Sequence, residues 1–386
     1  MKFRYQCSEC GECFEITPDL YTCPRCGLHQ GKDEPLRGIL EVAIKGKIGE
    51  KFNMFDFLPV EQEYFPPIPV GNTKLWRPTN INEKYNFPNL CIKDDGSNPT
   101  GSFKDRASYL VAAFAKKHNI NDIVLASTGN AGSSMAGVGA AAGMNIILFL
   151  PKSAPEAKMV QARQYGAELI IVDGSYDDAY ELSMQYHEQH GCMSRNTAHQ
   201  PMTIEGKKTV SIELFKDLGR APDYLFVSSG DGVILSGIYK GFRDLMQFDL
   251  IEKMPVIYSV QAENSNAIFR AINDGKFDGK KAHTVADSIC VDIPKNGYHA
   301  VRQLKEYKGR CVCVSDEEIL AAQKELSSNA GLFTEPAGAA AFAGFLKEKK
   351  NLENNASIAI LTTGSGLKDI KSAMKMNNIL NKSRQD

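Results

Sequence analysis

The stretch with the clearest chemical potential is Asn98-Pro99-Thr100-Gly101-Ser102-Phe103-Lys104-Asp105-Arg106, which places a lysine directly after a tight turn. Pro99 fixes its own φ, and Gly101 permits a backbone conformation that a side chain would resist. We expect Ser102 to cap the following helix, with Lys104 in its first turn. The free N–H groups there lower the cost of a neutral amine, which can form a Schiff base with an aldehyde. Taken alone, the pattern also fits an ordinary surface lysine beside a capped turn.

Three more turns follow predicted strands, at the sheet edge where ligands collect in open parallel sheets. The first is Ser127-Thr128-Gly129-Asn130-Ala131-Gly132, whose hydroxyl and N–H groups suit a carboxylate. The second, residues 228–237, is a glycine-rich strand-to-helix turn that can wrap a phosphate in backbone N–H groups. The third is Thr362-Thr363-Gly364-Ser365-Gly366-Leu367-Lys368-Asp369. Singly, such turns are also explained as helix caps, so it is their combination that indicates a pocket.

Together these runs resemble the fold type II enzymes that use pyridoxal phosphate. With Asn-Pro-Thr-Gly in front of Ser-Phe-Lys-Asp-Arg, the chain most resembles the threonine synthase family, over approximately residues 71–369. The resemblance implies an α/β fold of the tryptophan synthase β type, with two open, mostly parallel sheets flanked by helices and a small N-terminal zinc-ribbon-like segment. Short apolar strands that alternate with helices independently favour a buried parallel sheet.

The resemblance also implies the roles of individual residues. Lys104 would hold the cofactor and act as the catalytic acid and base, and the Thr363 hydroxyl would meet the pyridine nitrogen. The implied cofactor-binding residues are Lys104, Asn130, Gly230, Asp231, Gly232, Val233, Ile234 and Thr363. The implied substrate-binding residues are Ser127, Thr128, Asn130, Ala131, Asn196 and Lys207. Glu335 lies in a Thr-Glu-Pro-Ala segment that is similar to one near the cofactor ring in the family.

The reaction implied by the resemblance converts O-phospho-L-homoserine and water to L-threonine and phosphate, a carbon–oxygen lyase reaction on a phosphate ester. One position departs from the family, because Thr203 stands where many members carry an arginine for the leaving phosphate. Arg195, His199 or Lys207 could supply the missing charge. Alternatively, the chain is a related lyase or β-replacement enzyme, such as a threonine or serine dehydratase or a phosphoserine-using synthase. A third interpretation is a non-enzymatic scaffold whose N-terminal ribbon is a binding module.

Five of the ten cysteines lie in the first 26 residues. Cys7 and Cys10 form one Cys-x-x-Cys pair, and Cys23 and Cys26 form another. Two such pairs can present four thiolates to one Zn²⁺ in a tetrahedral, closed and therefore structural site. The alternative is a metal-free hairpin with reduced thiols. Cys13 is a fifth thiol in this segment, and we expect it to be a bystander.

Composition narrows the class of protein. The 386-residue chain has 43% hydrophobic and 24% charged residues and a net charge of −1, which describes an ordinary soluble globular protein without a nucleic-acid or membrane surface. We expect a cytoplasmic protein that acts on a small amino-acid substrate, and the family resemblance suggests a homodimer. The predicted division is a ribbon-like segment (1–30), a large cofactor-binding domain (31–115 with 212–386) and a small mobile α/β domain (116–211).

Overall fold

The computed structural model of this chain describes residues 1–49, 51–152, 154 and 156–374. Its strands form a three-stranded, a six-stranded and a four-stranded sheet. The strands are β1 Lys2–Cys7, β2 Cys13–Phe14, β3 Leu40–Lys45, β4 Lys74–Trp76, β5 Leu90–Asp94, β6 Asp122–Ala126, β7 Asn145–Pro151, β8 Glu168–Val172, β9 Met193–Ser194, β10 Tyr224–Ser228, β11 Val256–Ala262, β12 Arg310–Val314 and β13 Ile358–Thr362.

Thirteen α-helices pack around these sheets in the described part of the chain. They are α1 Pro24–Gly27, α2 Thr79–Tyr85, α3 Lys104–Lys117, α4 Asn130–Ala142, α5 Glu156–Gln164, α6 Tyr176–His190, α7 Met202–Lys207, α8 Thr209–Leu218, α9 Val233–Gln247, α10 Ala267–Asp274, α11 Gly297–Glu306, α12 Asp316–Ala330 and α13 Pro336–Glu348. Among the described residues, none of the helices combines the length and the apolar character that a bilayer-crossing segment requires.

The six-stranded sheet has the order β12-β11-β10-β13-β5-β4 and is parallel except for its edge strand β4. Its central strands β13 and β5 are buried along their whole length. Alternate residues of β13 serve the two faces: Ile358 and Ile360 pack in the core that contains α13, while Ala359 and Leu361 pack in the core that contains α9. Both faces of β13 are covered by apolar cores, which explains the unbroken Ile-Ala-Ile-Leu run.

The four-stranded sheet has the order β8-β7-β6-β9, and all its pairs are parallel. Ile123 and Leu125 of β6 face the core that includes α4, whereas Val124 and Ala126 face the core that includes α6. Two open, mostly parallel sheets flanked by helices confirm the predicted α/β fold class. The domain boundaries remain a prediction, and the end of the predicted large domain, residues 375–386, lies outside the described residues.

The N-terminal sheet extends beyond the predicted ribbon segment, and no bounds for its strands were predicted from the sequence. β1 pairs antiparallel with β2 and also with β3, which lies beyond the predicted ribbon segment. The segment is fastened to the body of the protein through Glu41 of β3, whose carboxylate accepts hydrogen bonds from Arg243 and contacts His299 at 2.8 Å. Ion pairing with Arg243 and His299 holds the pKa of Glu41 well below its usual range despite its burial.

Candidate active site

The lysine turn is built by Asp105 rather than by the predicted cap Ser102. The Asp105 carboxylate accepts a hydrogen bond from the Thr100 N–H at 2.8 Å and another from the Thr100 hydroxyl. Phe103 occupies the N-cap position of α3, and the buried Ser102 hydroxyl has no hydrogen-bond partner in the described structure. The expectation of a serine cap was therefore wrong. Gly101 has φ of +83°, in the left-handed region, as the turn chemistry predicted.

The turn that follows β13 is hydrogen-bonded directly to the lysine turn. Phe103 N–H donates to the Thr363 carbonyl at 2.8 Å, and Ser365 N–H donates to the Gly101 carbonyl at 2.9 Å. The Glu335 N–H donates a hydrogen bond to the Gly364 carbonyl of the same turn, at 2.9 Å. Three segments that are far apart in sequence therefore form one hydrogen-bonded rim, which fixes Lys104 relative to Thr363.

Lys104 is half-buried in the first turn of α3, as predicted. Burial lowers the pKa of its ammonium group to about 8, the nearby cations Arg195 and Lys158 lower it further, and Glu335 and Asp231 oppose the shift. Near neutral pH, a larger fraction of this side chain than of an ordinary lysine is thus a neutral amine, which is the form that attacks an aldehyde.

Asn130 contacts Glu335, a carboxylate close enough to Lys104 to influence its pKa. Its Nδ2 donates to Oε1 and Oε2 of Glu335 at 2.8 and 3.0 Å, and to the Ser288 hydroxyl at 3.3 Å. Its Oδ1 is buried and has no partner among the described residues. Burial raises the pKa of Glu335, an effect that Lys158 and Asn130 reduce. Sequence reasoning noted the Glu335 segment but did not assign this carboxylate to the site.

The turn between β6 and α4 presents free backbone N–H groups. Ser127 Oγ accepts the N–H groups of Gly129 and Gly132 at 3.2 and 3.0 Å, so its oxygen shapes the turn itself. Thr128 and Ala131 are half-buried beside it, at the N-terminus of α4. A carboxylate placed here would meet a helix N-terminus with unsatisfied donors.

The turn between β10 and α9 has the geometry of a phosphate cradle. Within the described residues, the backbone N–H groups of Gly230, Asp231 and Gly232 donate no hydrogen bond. A Cβ at Gly230 would lie 2.7 Å from the Ile289 Cα, and Gly232 has φ of +87°, so both positions need glycine. Val233 and Ile234 supply the first N–H groups of α9 and are buried. Apolar side chains here do not compete with the backbone donors.

The Asp231 carboxylate is bound by the backbone of Lys295. Its Oδ1 accepts the Lys295 N–H at 2.6 Å. Burial raises the pKa of this carboxyl to about 6, while the Lys295 N–H and Lys207 lower it. These contacts explain how an acidic residue is tolerated in a loop that suits a phosphate.

The remaining predicted substrate residues are both fully buried but differ in their contacts. Asn196 uses its side chain within the fold: Oδ1 accepts the Ala126 N–H at 2.8 Å, and Nδ2 donates to the Ser183 hydroxyl at 2.9 Å. Lys207 ends α7, and its ammonium has no partner among the described residues. Burial, together with Lys104 and Arg195, lowers the Lys207 pKa well below its usual value. Substrate binding by these two residues stays a prediction.

Two further cations reach the same region, and the sequence alone did not assign them. Lys158 of α5 donates to Asp287 at 2.5 Å, and its Nζ is 3.9 Å from where a Gly129 Cβ would lie. Arg195, buried after β9, was considered only as one of three substitutes for a missing arginine. A lysine inside a helix rich in polar residues, such as Lys158 in α5, carries no local signal of such a position.

The N-terminal cysteines form a compact group. The Sγ atoms of Cys7, Cys10, Cys23 and Cys26 all lie within 4.8 Å of one another, with 3.7 Å from Cys7 to Cys26 and 3.8 Å from Cys10 to Cys23. Tetrahedral ligands at the usual Zn–S distance of about 2.3 Å are about 3.8 Å apart, so the donor set fits zinc. The exposed Cys13 is not part of the group.

Comparisons with known sequences extend over most of the chain. The sequence profile described as "Pyridoxal-phosphate dependent enzyme" matches residues 68–364. Threonine synthase of Methanocaldococcus jannaschii is 31% identical over 392 residues, which cover 96% of this chain and 94% of that protein. Threonine synthase of Halalkalibacterium halodurans is 33% identical over 323 residues, covering 83% and 89%.

Comparisons with solved structures give the same fold. Maize serine racemase superimposes with a TM-score of 0.70 at 21% identity, covering 82% of this chain and 94% of the other. The processed form of threonine deaminase isoform 2 from Solanum lycopersicum gives a TM-score of 0.71 at 19% identity, covering 86% and 94%. These similarities confirm the predicted fold type II architecture.

Proposed function

This chain belongs to the threonine synthase family of pyridoxal-phosphate dependent enzymes, and on that premise we propose that it converts O-phospho-L-homoserine and water to L-threonine and phosphate. The observation that carries the proposal is the joining of Lys104, Asn130 and Thr363 at one rim, through the hydrogen bonds of Phe103 to Thr363 and of Asn130 to Glu335. The activity is that of a carbon–oxygen lyase acting on a phosphate ester.

The residues present fit the cofactor. The free N–H groups of the 230–232 turn and the N-terminus of α9 would hold its phosphate, and Lys104 would hold its aldehyde carbon. The Thr363 hydroxyl, which makes no hydrogen bond among the described residues, would meet the ring nitrogen. Asn130 would lie beside the ring hydroxyl. When bound, pyridoxal phosphate supplies an electron sink that stabilises negative charge at the substrate Cα.

Each protein group then has a defined task toward the substrate. The turn of Ser127, Thr128, Asn130 and Ala131 would bind the α-carboxylate through the N-terminus of α4. Lys104, whose pKa of about 8 allows both protonation states near neutral pH, would take the proton from Cα and return protons later in the reaction. The fully buried rim of Ser102 and Glu335 would keep bulk water away from the reacting carbons.

The proposal also includes a structural metal ion, a cellular location and the partners of the protein. The four-cysteine group would hold one structural zinc ion, since its sulfur separations match a tetrahedral site. All ten cysteines are free thiols, which suits a reducing compartment and supports a cytoplasmic location. The partner is a small amino-acid substrate, and the family resemblance suggests a homodimer.

The test is to incubate the cofactor-loaded protein with O-phospho-L-homoserine and to measure threonine and phosphate together. We expect equal amounts of both products, and loss of both in Lys104→Ala. Lys116→Ala is the matched control, because Lys116 is an exposed lysine of the same helix α3 and should leave activity unchanged. A cofactor-loaded protein that forms no threonine would refute the proposal.

A second candidate activity rests on Thr203. Its hydroxyl donates to the Gln200 carbonyl at 2.7 Å, so this position offers no charge to a leaving phosphate. A related lyase or β-replacement enzyme, acting on threonine, serine or phosphoserine, is the alternative. Release of keto acid from those amino acids, without threonine formation from O-phospho-L-homoserine, would favour it.

A further inference from the structure

Arg195 is a fully buried arginine at the ligand-facing edge of the four-stranded sheet. It directly follows β9, and its backbone N–H donates to the Val124 carbonyl of β6 at 2.9 Å. The strand β6 runs from there into the Ser127 turn, the proposed site of the substrate α-carboxylate. Arg195 therefore emerges beside that turn, at the carboxyl edge of the parallel strands.

The guanidinium of Arg195 has only one of its edges engaged. Its Nη1 donates to the Thr197 hydroxyl at 2.7 Å, whereas Nε and Nη2 are buried and have no partner in the described structure. Among the described residues, no carboxylate lies within ion-pair distance of this arginine. The two free donors form one planar edge of the guanidinium, which matches two oxygens of a phosphate. A buried, unpaired fork of this kind indicates an anionic ligand.

The electrostatics of the cleft point the same way. The charge of Arg195 helps lower the pKa of Lys104 and of Lys207, so the three cations share one cleft. Burial lowers the pKa of Arg195 itself to about 10, so the group still carries its charge near neutral pH. Mutual repulsion of buried cations is relieved when a dianion enters between them.

The structure shows that the three residues considered as substitutes for an arginine at position 203 differ in their suitability for binding a phosphate. His199 stacks on Tyr21 with 4.6 Å between ring centroids, and burial lowers its pKa to about 4, so it is neutral and faces the N-terminal segment. Lys207 has a free ammonium, but it is a single point charge whose Cβ adjoins Gly237 of the helix α9. Only Arg195 among the three combines charge, two free donors and a position next to the carboxylate turn.

We propose that Nε and Nη2 of Arg195 bind the phosphate at Cγ of the substrate, in the role that Thr203 cannot fill. The identity of the substrate rests on the proposed function. As the Cγ–O bond breaks, its electrons go to oxygen and the electrons of a Cβ–H bond form the Cβ=Cγ bond. The departing phosphate takes the proton released from Cβ, and the guanidinium stays protonated beside it. Since the free edge is fully buried, the substrate reaches it only after the side chains that cover it move apart.

The experiment measures binding rather than turnover. The absorption of the cofactor-loaded protein is titrated with L-2-amino-5-phosphonopentanoate, which has the length and charge of the substrate but cannot lose phosphate. L-norvaline, the same carbon chain without the phosphonate, is titrated in parallel. For Arg195→Gln we expect the phosphonate to bind about 10- to 100-fold more weakly, as for the loss of one charged bidentate contact, with norvaline unchanged. Arg302→Gln removes an exposed arginine of α11 and should match the wild type.

Two results would overturn the assignment of Arg195. Unchanged phosphonate affinity in Arg195→Gln excludes the contact, and an equal loss for norvaline shows a general disturbance of the site. If Arg195→Gln does not hold the cofactor, Arg195→Lys takes its place. That variant keeps the positive charge but loses the two-donor edge of the guanidinium. We therefore expect the affinity for the phosphonate to fall and the affinity for norvaline to stay unchanged. A phosphonate affinity equal to that of the wild type would refute binding through Nε and Nη2.

The outcomes for the two proposals are distinguishable. If the protein forms no threonine but still prefers the phosphonate through Arg195, the proposed reaction fails and the anion site stands. If threonine forms and Arg195→Gln keeps the preference for the phosphonate, the reaction stands and the anion site fails.

Discussion

Nδ2 of Asn130 lies 2.8 Å from Oε1 of Glu335, and this hydrogen bond joins the first turn of α4 to the N-cap residue of α13. Helix α4 packs against the four-stranded sheet and α13 against the six-stranded sheet. The contact therefore sets the position of the Ser127 turn relative to the lysine turn. The partner is a buried carboxylate whose pKa is raised by burial, and it is therefore held at an energetic cost in its charged form.

Replacing Glu335 by glutamine should stabilise the fold increasingly as the pH rises. A buried acid with a raised pKa contributes stability that is complete below its unfolded pKa of 4.5 and is lost as the pH climbs through the higher folded value. We expect Glu335→Gln to be more stable than the wild type at neutral pH, with the difference shrinking toward pH 4. Urea unfolding of both proteins between pH 4 and neutral pH measures the difference in the free energy of unfolding. A difference that does not change with pH would show that ionisation of the buried carboxyl is not the cause.

Loading of the cofactor should follow the titration of Lys104. Because the pKa of Lys104 is lowered to about 8, the rate at which the cofactor-free protein takes up pyridoxal phosphate should rise with pH to a midpoint near 8. Removing the cation in Arg195→Gln should move this midpoint upward, and removing the anion in Glu335→Gln should move it downward. The absorbance of the bound cofactor follows the rate, and shifts in the same direction for both variants would refute the electrostatic explanation.

Arg106 should be one of the most sensitive positions for stability. Its guanidinium binds Asp95 through Nε and Nη2, at 2.5 and 2.9 Å, and Glu213 through Nη1 and Nη2, at 2.7 and 2.8 Å. Arg106→Ala would leave the buried Asp95 carboxylate without an ion-pair partner and Glu213 with Lys93 alone, which costs about 3–5 kcal/mol in the free energy of unfolding. Lys117→Ala breaks the more exposed pair with Glu61 and should cost less than about 1 kcal/mol. Urea unfolding of the two variants compares them directly.

Local pattern was sufficient to predict the elements that are buried on both faces. The strand Ile358–Thr362 is buried along its whole length, and it coincides with an apolar run of the sequence that is bounded by turn residues. Leu40–Lys45 was missed, since its pairing partner is β1 and its buried anchor Glu41 is an acid that looks solvated in sequence.

The site was harder to predict wherever its residues act across the two sheets. Asn130 could be assigned from its turn, but its partner Glu335 lies 205 residues away, and only the strand order of the sheets brings the two together. Arg195 likewise carries no local signal, because its two free donors become visible only when every buried contact around it is known. The Ser102 cap failed because Asp105, three residues further along, binds the same turn more strongly with a charge.

The four-cysteine group should bind about one zinc ion per chain, and the fifth thiol should not take part. Cys10→Ser removes one of the four clustered ligands, whereas Cys13→Ser changes an exposed thiol outside the group. We expect metal analysis to find zinc in the wild type and in Cys13→Ser, with most of it lost from Cys10→Ser. The loss should also lower the melting temperature, because β1 begins the sheet that Glu41 fastens to Arg243 and His299. Equal zinc in both variants would show that the cysteines do not form a four-ligand site.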